Sequence, residues 1–250
     1  MAVVEILGLH DGYRGRSLFQ GFDLTLAPGV TVILGPNGAG KTTLFKLICG
    51  LRTARGGSVL VLGQPPTLAR QSRVPAQSFS YLPQQFGYLR SYTVAEFVSY
   101  VAWLQAVPKA VLAERVERAL TSVDLAERRG DRMRSLSGGM VRRAGIAASL
   151  VKRPGLLILD EPTAGLDPVQ RNDVQRVLAG LTPGTSTVMS THLAEDAEQY
   201  ATSVVILNSG RVTFAGSPAA LLADASKRSG SAVNTVTAAY LVLMGGRRER

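Results

Sequence analysis

The chain has 250 residues, enough for one large or two small domains around a sizeable core. Hydrophobic residues make up 46% and charged residues 18%, ordinary for a globular protein, and no uninterrupted apolar run reaches the length that spans a bilayer. The formal net charge of +10 leaves an anionic membrane face or nucleic acid open as neighbours. The basic residues are spread out, however, with the densest groups at Arg128-Arg129, Arg132, Arg134, at Arg142-Arg143 and in the tail Arg247-Arg248-Glu249-Arg250, and scattered arginine favours a solvated surface. Cys49 is the single cysteine, which excludes an intramolecular disulfide, and its place in an apolar helix reads as a small core residue. Met1–Glu5 carries no basic region followed by an apolar stretch, so the expectation is no secretory signal and a cytoplasmic location.

Residues 1–29 read as a β-rich entry. Val4, Ile6 and Leu9 suggest one strand, and Phe22, Leu24 and Leu26 alternate with polar residues in a second. Tyr13 falls in the expected loop between them, where an exposed aromatic either stacks on a base or packs into its own loop. Ala27-Pro28-Gly29 is a turn.

Val30 to Leu34 then forms an apolar, β-branched run that ends in Gly35-Pro36-Asn37-Gly38-Ala39-Gly40-Lys41-Thr42-Thr43. The spacing fits the phosphate-binding pattern G-x-x-x-x-G-K-[ST]. The context fits too, since a buried strand precedes the glycines and a helix over Thr42–Leu51 follows, with Leu44, Leu47 and Ile48 on one face. Glycine-rich backbone can aim its N–H groups at phosphate oxygens, and a helix N-terminus adds positive dipole there. Lys41 is placed to reach the β- and γ-phosphates, and the Thr42 hydroxyl to sit on Mg²⁺.

Arg55-Gly56-Gly57 is a turn before a strand over Ser58–Gly63, and residues 64–77 read as loop with a short helix. Phe79–Leu82 is the next strand and ends at Pro83-Gln84. A glutamine there either coordinates Mg²⁺ and orients water through its amide or is simply solvated. From 86 to 152 the pattern turns helical. Thr93-Val94-Ala95-Glu96 is a capping box, followed by Val94, Phe97, Val98, Val101 and Leu104 on one helix face. Trp103 lies off that stripe, as a packing residue or a partner contact. A second amphipathic helix runs from Val111 to Val123 with Leu112, Val116, Leu120 and Val123 inward. Gly130–Arg134 reads as loop, then Leu136-Ser137-Gly138-Gly139-Met140 opens a third helix that stops before Pro154.

Leu156-Leu157-Ile158-Leu159 is continuously apolar and ends in Asp160-Glu161. Such a run implies a strand covered on both faces, hence a parallel sheet, and acids at its C-terminal end sit where ligands bind in such sheets. Asp160 is placed to hold a Mg²⁺ shell and Glu161 to orient, or take a proton from, an attacking water. Ala164–Pro168 is a turn before a helix over 168–181. Ser186–Ser190 is a strand ending in Thr191-His192, where the histidine either contacts a γ-phosphate or packs. His10 has no acidic or cysteine partners in the sequence around it, so no metal site is expected from it. Residues 194–201 read as helix, 203–207 and 211–215 as a hairpin around Asn208-Ser209-Gly210, and Ser217–Leu222 as a helix. Residues 224–231 read as polar and flexible, before a last apolar helix over about Val233–Met244.

The order Tyr13, phosphate loop, Gln84, Leu-Ser-Gly-Gly, acidic strand, Gly165-Leu166-Asp167 turn and His192 resembles that of the nucleotide-binding subunit of ABC transporters, over residues 3 to 220. The Leu-Ser-Gly-Gly stretch is similar to that family's signature. The spacing also resembles single-domain ATPase subunits that pair with a separate multispan permease, particularly exporter-type ones. The resemblance implies an α/β fold with a P-loop NTPase core and a central, mostly parallel sheet. It also implies an N-terminal antiparallel β subdomain and a helical subdomain inserted over about residues 86–152. An ATPase domain is then expected over 1–220, with 221–250 as a C-terminal extension of one helix and a basic tail.

The same resemblance implies roles for single residues. Tyr13 would stack on adenine, and Gly35 to Thr43 would hold the triphosphate and Mg²⁺ of ATP. Gln84 would sense Mg²⁺ and the permease. Ser137, Gly138 and Gly139 would contact the γ-phosphate of ATP bound to a second subunit, in a head-to-tail dimer. Asp160 would hold the Mg²⁺ shell, Glu161 would be the catalytic glutamate, Asp167 would cross the dimer interface, and His192 would be the switch histidine. Two departures stand out: Met140 replaces the commoner glutamine beyond the phosphate-contacting residues, and Arg14 intervenes between Tyr13 and Gly15. The permease is expected to dock near Phe86, Tyr88, Leu89 and Tyr92, a cluster of apolar and aromatic residues in an expected surface loop. The basic balance then fits the inner face of the cell membrane. The rival reading is a soluble ABC-type ATPase acting on ribosomes or DNA without a permease. The ribosome-acting kind usually joins two ATPase domains, and the DNA-repair kind carries a long coiled coil for which the helical insert has no sustained heptads. A small-molecule kinase would not need Leu-Ser-Gly-Gly. No nucleic-acid partner is expected.

Overall fold

The computed structural model describes residues 1–13, 15–74, 77–181 and 184–245. The basic tail and Arg14 lie outside the described residues. The chain divides into two units, Met1–Leu68 with Ser186–Arg250, and Ala69–Thr185.

In the first unit, β1 (Val4–Tyr13) pairs antiparallel with β2 (Arg16–Leu26) on one edge and with β4 (Gly56–Val61) on the other. Alternation of apolar and polar residues sends Val4 and Ile6 from β1, and Phe22, Leu24 and Leu26 from β2, into the core, and a register irregularity between Ile6 and Leu9 brings Leu9 in as well. A second set of strands centres on β3 (Val30–Leu34), which lies parallel to β7 (Ser186–Thr191) and to β8 (Ser203–Asn208). β9 (Arg211–Gly216) returns antiparallel to β8. Their turn places Ser209 at φ 49° and Gly210 at φ 72°, the paired positive φ values that match the twist of a two-residue hairpin. The buried interior of β3 and β7 explains why neither strand alternates in sequence.

The helices of this unit are α1 (Lys41–Ile48), α7 (Glu195–Tyr200), α8 (Pro218–Ser229) and α9 (Val236–Gly245), with α8 packed on α9. α8 corrects the flexible reading of residues 224–231 over 224–229. Ser217 caps its N-terminus through Ala220 N, Pro218 takes the first turn, and Gly230 closes it in the left-handed region. Leu221 and Ala225 are buried one turn apart, so a stretch polar in composition carries an apolar stripe.

α2 (Pro66–Gln71) is a short helix near the boundary. The second unit holds β5 (Phe79–Leu82) and β6 (Leu156–Asp160), which pair in parallel with Leu82 opposite Leu159. Around them run α3 (Val94–Leu104), α4 (Lys109–Thr121), α5 (Gly138–Leu150) and α6 (Pro168–Ala179). The capping box is formed, with Glu96 N donating to Thr93 Oγ1 at 3.1 Å and Thr93 N to Glu96 Oε2 at 2.7 Å. The Thr93 backbone N–H, and after it the Thr93 side chain, hydrogen-bond the Glu96 carboxylate and hold it below its ordinary range. The expected α3 stripe is shorter than its sequence pattern. Val94, Phe97, Val98 and Ala102 are buried, whereas Leu104, the last residue of the helix, is 58% exposed. Trp103 is 67% exposed and stacks on Tyr100 at 6.2 Å between ring centres. The expected loop at Gly130–Arg134 enters a single 3-10 turn over Met133–Ser135, because Met133 is buried and pulls the backbone in.

Candidate nucleotide site

The phosphate loop is built by the first unit. β3 ends at Leu34, and the chain turns through Gly35–Gly40 into α1. Gly40 stands at φ 109°, a conformation that disfavours any side chain, and a Cβ there would also meet Leu18 and Phe19. Because Gly40 is the N-cap, α1 has no side-chain cap, and its first turn has no acidic residue. The first-turn N–H groups and the helix dipole are therefore available to an anion. Lys41 is buried and folds back over the loop, its Nζ donating to Gly35 O at 2.6 Å and Pro36 O at 3.2 Å. This ordering of the ammonium on the loop's own carbonyls fits a group that neutralises phosphate.

Tyr13 is the last residue of β1 rather than a loop residue, because the hairpin is tight enough to pair it with Arg16. The residue is 53% exposed, and its hydroxyl lies 2.9 Å from Thr43 Oγ1. Arg52 stands over the ring at 4.8 Å from its centre. Arg52 is in turn held by the buried Asp11, with Nη2 donating to Oδ1 at 3.1 Å and Nε to Oδ2. Sequence reading missed both residues, since their separation of 41 positions gives no local signal. The Arg52 hydrogen bond holds the Asp11 carboxyl below the usual carboxylate range. Burial opposes it, and the Gly12 backbone bond and the charges of Arg52 and Arg55 add to the lowering.

His192 is exposed and directly follows β7. The turn that carries it is pinned by Thr191, whose Oγ1 donates to Asp196 Oδ2 at 2.6 Å and accepts from Leu193 N at 3.1 Å.

The second unit brings three of the expected residues together at the ends of β5 and β6. Gln84 Nε2 donates to Glu161 Oε2 at 3.2 Å. Asp160 is buried at the end of β6, where Tyr81 Oη donates to its Oδ2 at 3.4 Å. Glu161 takes φ 46°, in the left-handed region that costs a side-chain-bearing residue roughly 1–3 kcal/mol. Among the described residues no group of three or more His, Cys, Asp or Glu could hold a metal by itself.

Ser137 is the N-cap of α5, its Oγ accepting from Met140 N at 3.2 Å. Gly138 and Gly139 form the first turn, and Gly139 N donates to Gln170 Oε1 at 2.8 Å. Asp167 caps α6, accepting from Gln170 N at 2.9 Å. Arg142, which sequence reading noted only as one of a basic pair, is buried and gives all its bonds to main-chain carbonyls. Burial pushes its guanidinium down to about 10, against the charges of Asp160, Tyr81 and Glu161, so it stays protonated at neutral pH.

The stretch expected to be an exposed docking cluster is partly packed. The rings of Phe86 and Tyr88 lie 6.0 and 6.4 Å from Phe97, and Tyr92 stands edge-on to Tyr100 at 6.0 Å. Leu89 stays 53% exposed. Phe86 is drawn in because α5 offers a side-chain-free face at Gly145, where a Cβ would lie 2.6 Å from Phe86 Cζ.

A strand–glycine loop–helix with an uncapped N-terminus and a buried lysine defines a phosphate-loop nucleotide-binding protein. The profile of the ABC transporter family matches residues 19–164, and the chain belongs to that family, as one of its ATP-binding subunits. It is 33% identical over 224 residues to the Nod factor export ATP-binding protein I of Cupriavidus metallidurans, covering 88% of this chain and 73% of that protein. It is 35% identical over 220 residues to the daunorubicin/doxorubicin resistance ATP-binding protein DrrA of Streptomyces peucetius, covering 85% of this chain and 64% of that one. A solved ATP-binding subunit of an ABC transporter superposes with a TM-score of 0.78 at 27% identity, over 97% of this chain and 99% of the other. The α/β fold, with mostly parallel strands, antiparallel N-terminal strands and a helical insert, is the fold of those ATPase domains.

Proposed function

We propose that the chain hydrolyses ATP with Mg²⁺ and that this drives transport through a separate membrane permease. The observation that carries the reading is the 3.2 Å bond between Gln84 and Glu161 at the ends of the paired strands β5 and β6. It holds a carboxylate beside an amide, a pair suited to orienting water. Thr42, Gln84 and Asp160 would hold Mg²⁺, which supplies charge neutralisation on the phosphates when bound. Gly35 to Thr43 bind the triphosphate through backbone amides, with Pro36, Asn37 and Ala39 shaping the loop and Lys41 supplying charge. Tyr13 stacks on the base. Glu161 orients the attacking water and takes its proton as the bond to the γ-phosphorus forms and the bond to the leaving oxygen breaks. His192 contacts the γ-phosphate. Ser137, Gly138 and Gly139 serve the nucleotide of a second ATPase subunit in a head-to-tail dimer, with Asp167 at that interface.

No helix among the described residues is long and apolar enough to cross a membrane. The permease supplies that path, docking near Phe86–Tyr92 through Leu89, with this chain on the cytoplasmic face. The names of the two relatives, one an export protein and one a drug-resistance protein, favour export as the direction. The test is Mg²⁺-dependent phosphate release by the purified chain, together with capture of the tagged chain from its host. Hydrolysis lost in Glu161→Gln, and capture of a hydrophobic multispan protein, support the reading. Capture of ribosomes or DNA without a membrane protein overturns it in favour of the soluble ATPase.

A further inference from the structure

Arg142 lies one turn into α5 and is 7% exposed. Its Nε donates to Pro162 O at 3.0 Å and its Nη2 to Asp160 O at 2.7 Å. Its Nη1 donates to Pro83 O at 2.9 Å and to Gln84 O at 3.0 Å. The acceptors fall into two sets. Asp160 O and Pro162 O flank Glu161 on either side in the chain, and Pro83 O and Gln84 O carry the residue whose side chain bonds Glu161. A planar fork of five N–H donors can serve four fixed carbonyls at once, and an ammonium cannot.

Two further observations point the same way. Glu161 holds φ 46°, which a residue with a Cβ keeps only where its surroundings over-determine it. Bonds on both sides of Glu161 to one buried guanidinium provide that constraint. Second, Phe86 closes on the Gly145 face of α5, so the segment after β5 is held to the same helix at a second point.

We infer that Arg142 is a positioning residue that fixes Glu161 and Gln84 relative to each other and ties both to α5, the helix whose first turn carries Ser137 and Gly139. A shift of α5 would thereby move the carboxylate and the amide together. An ordinary buried arginine would pair with an acid and stabilise the core. Here all four bonds go to the main chain around the two side chains assigned to the water.

The inference rests on the proposed role of Glu161, and the test separates the two. In the full chain, Arg142→Gln and Arg142→Lys are compared with wild type and with Glu161→Gln. Expected for both Arg142 variants is a fall in kcat of about 10²-fold, the cost of a misplacement of about 1 Å, with KM for ATP and the affinity for a fluorescent ATP analogue unchanged. Amide hydrogen exchange at residues 84–86 and 161–164 should quicken, while exchange in α1 stays as in wild type. If Arg142→Gln does not fold, Arg142→Lys, which keeps the charge but not the fork, carries the comparison. A lower melting temperature with wild-type kcat in the folded fraction, or unchanged exchange at 84–86 and 161–164, overturns the inference. Normal hydrolysis by Glu161→Gln instead overturns the role of Glu161, and the exchange result still decides whether Arg142 holds these segments.

Discussion

The Tyr13 hydroxyl lies 2.9 Å from Thr43 Oγ1, so the end of β1 is joined to the first turn of the phosphate-loop helix. Arg52 stands on the ring of the same tyrosine. Tyr13, proposed to stack on the base, and the first turn of α1 are thus held in one piece. Replacing Arg52 by Gln removes the cation from behind the ring but leaves the loop. ATP affinity should fall about two- to five-fold, the scale of an exposed cation–π contact, while affinity for inorganic triphosphate stays constant. Competition binding with the two ligands measures this. Equal losses for both would mean that Arg52 acts on the phosphate loop and not on Tyr13.

Glu161 and Lys41 should separate chemistry from binding. Glu161→Gln keeps the shape and the bond-forming capacity of the side chain but removes the carboxylate proposed as the base. Turnover should fall about 10²- to 10⁴-fold with ATP binding retained, and a dimer containing ATP should accumulate. Lys41→Ala should weaken nucleotide binding itself, since the ammonium that the loop carbonyls hold in place is gone. Phosphate release, equilibrium binding and light scattering on the two variants check this. Unchanged affinity in Lys41→Ala would count against the phosphate-loop assignment.

Gly145→Ala tests the packing of Phe86. The added methyl would sit 2.6 Å from Phe86 Cζ and 3.0 Å from Leu82 Cδ1, so the ring has to move. Overpacking costs roughly 1–3 kcal/mol, and the better helix propensity of alanine returns about 0.5–1 kcal/mol. A net loss of about 1 kcal/mol should appear as a lower urea midpoint with an unchanged slope. A gain in stability would show that the segment at Phe86 yields freely.

Asp11 should make stability depend on acid. Its carboxyl is held below the ordinary range in the folded chain, chiefly by the Arg52 hydrogen bond. A depressed folded pKa contributes stability above the unfolded value of about 3.9, and this contribution is lost as pH falls through the folded pKa. Wild type should therefore exceed Asp11→Asn in urea midpoint at neutral pH. The gap should narrow as pH drops below about 4. A gap that does not change with pH would remove the charged pair from the explanation.

The parts whose signals are local are legible in the chain alone. The phosphate loop from Gly35 to Thr43, the capping box at Thr93 and Glu96, and the apolar run into Asp160-Glu161 each lie within a few residues, and turn, capping and burial rules act at that range. Tertiary structure decided whatever depends on neighbours distant in the chain. Asp11 meets Arg52 across 41 positions, and Arg142 reaches Pro83 across 59. Residues 224–229 are helical because α8 has a core to face, although their composition suggested mobility. Phe86 turned inward because Gly145, far along the chain, left room for a ring. Burial and hydrogen-bond satisfaction are properties of the assembled core. They decided that an arginine written as one of a surface pair became the buried donor at the end of the acidic strand.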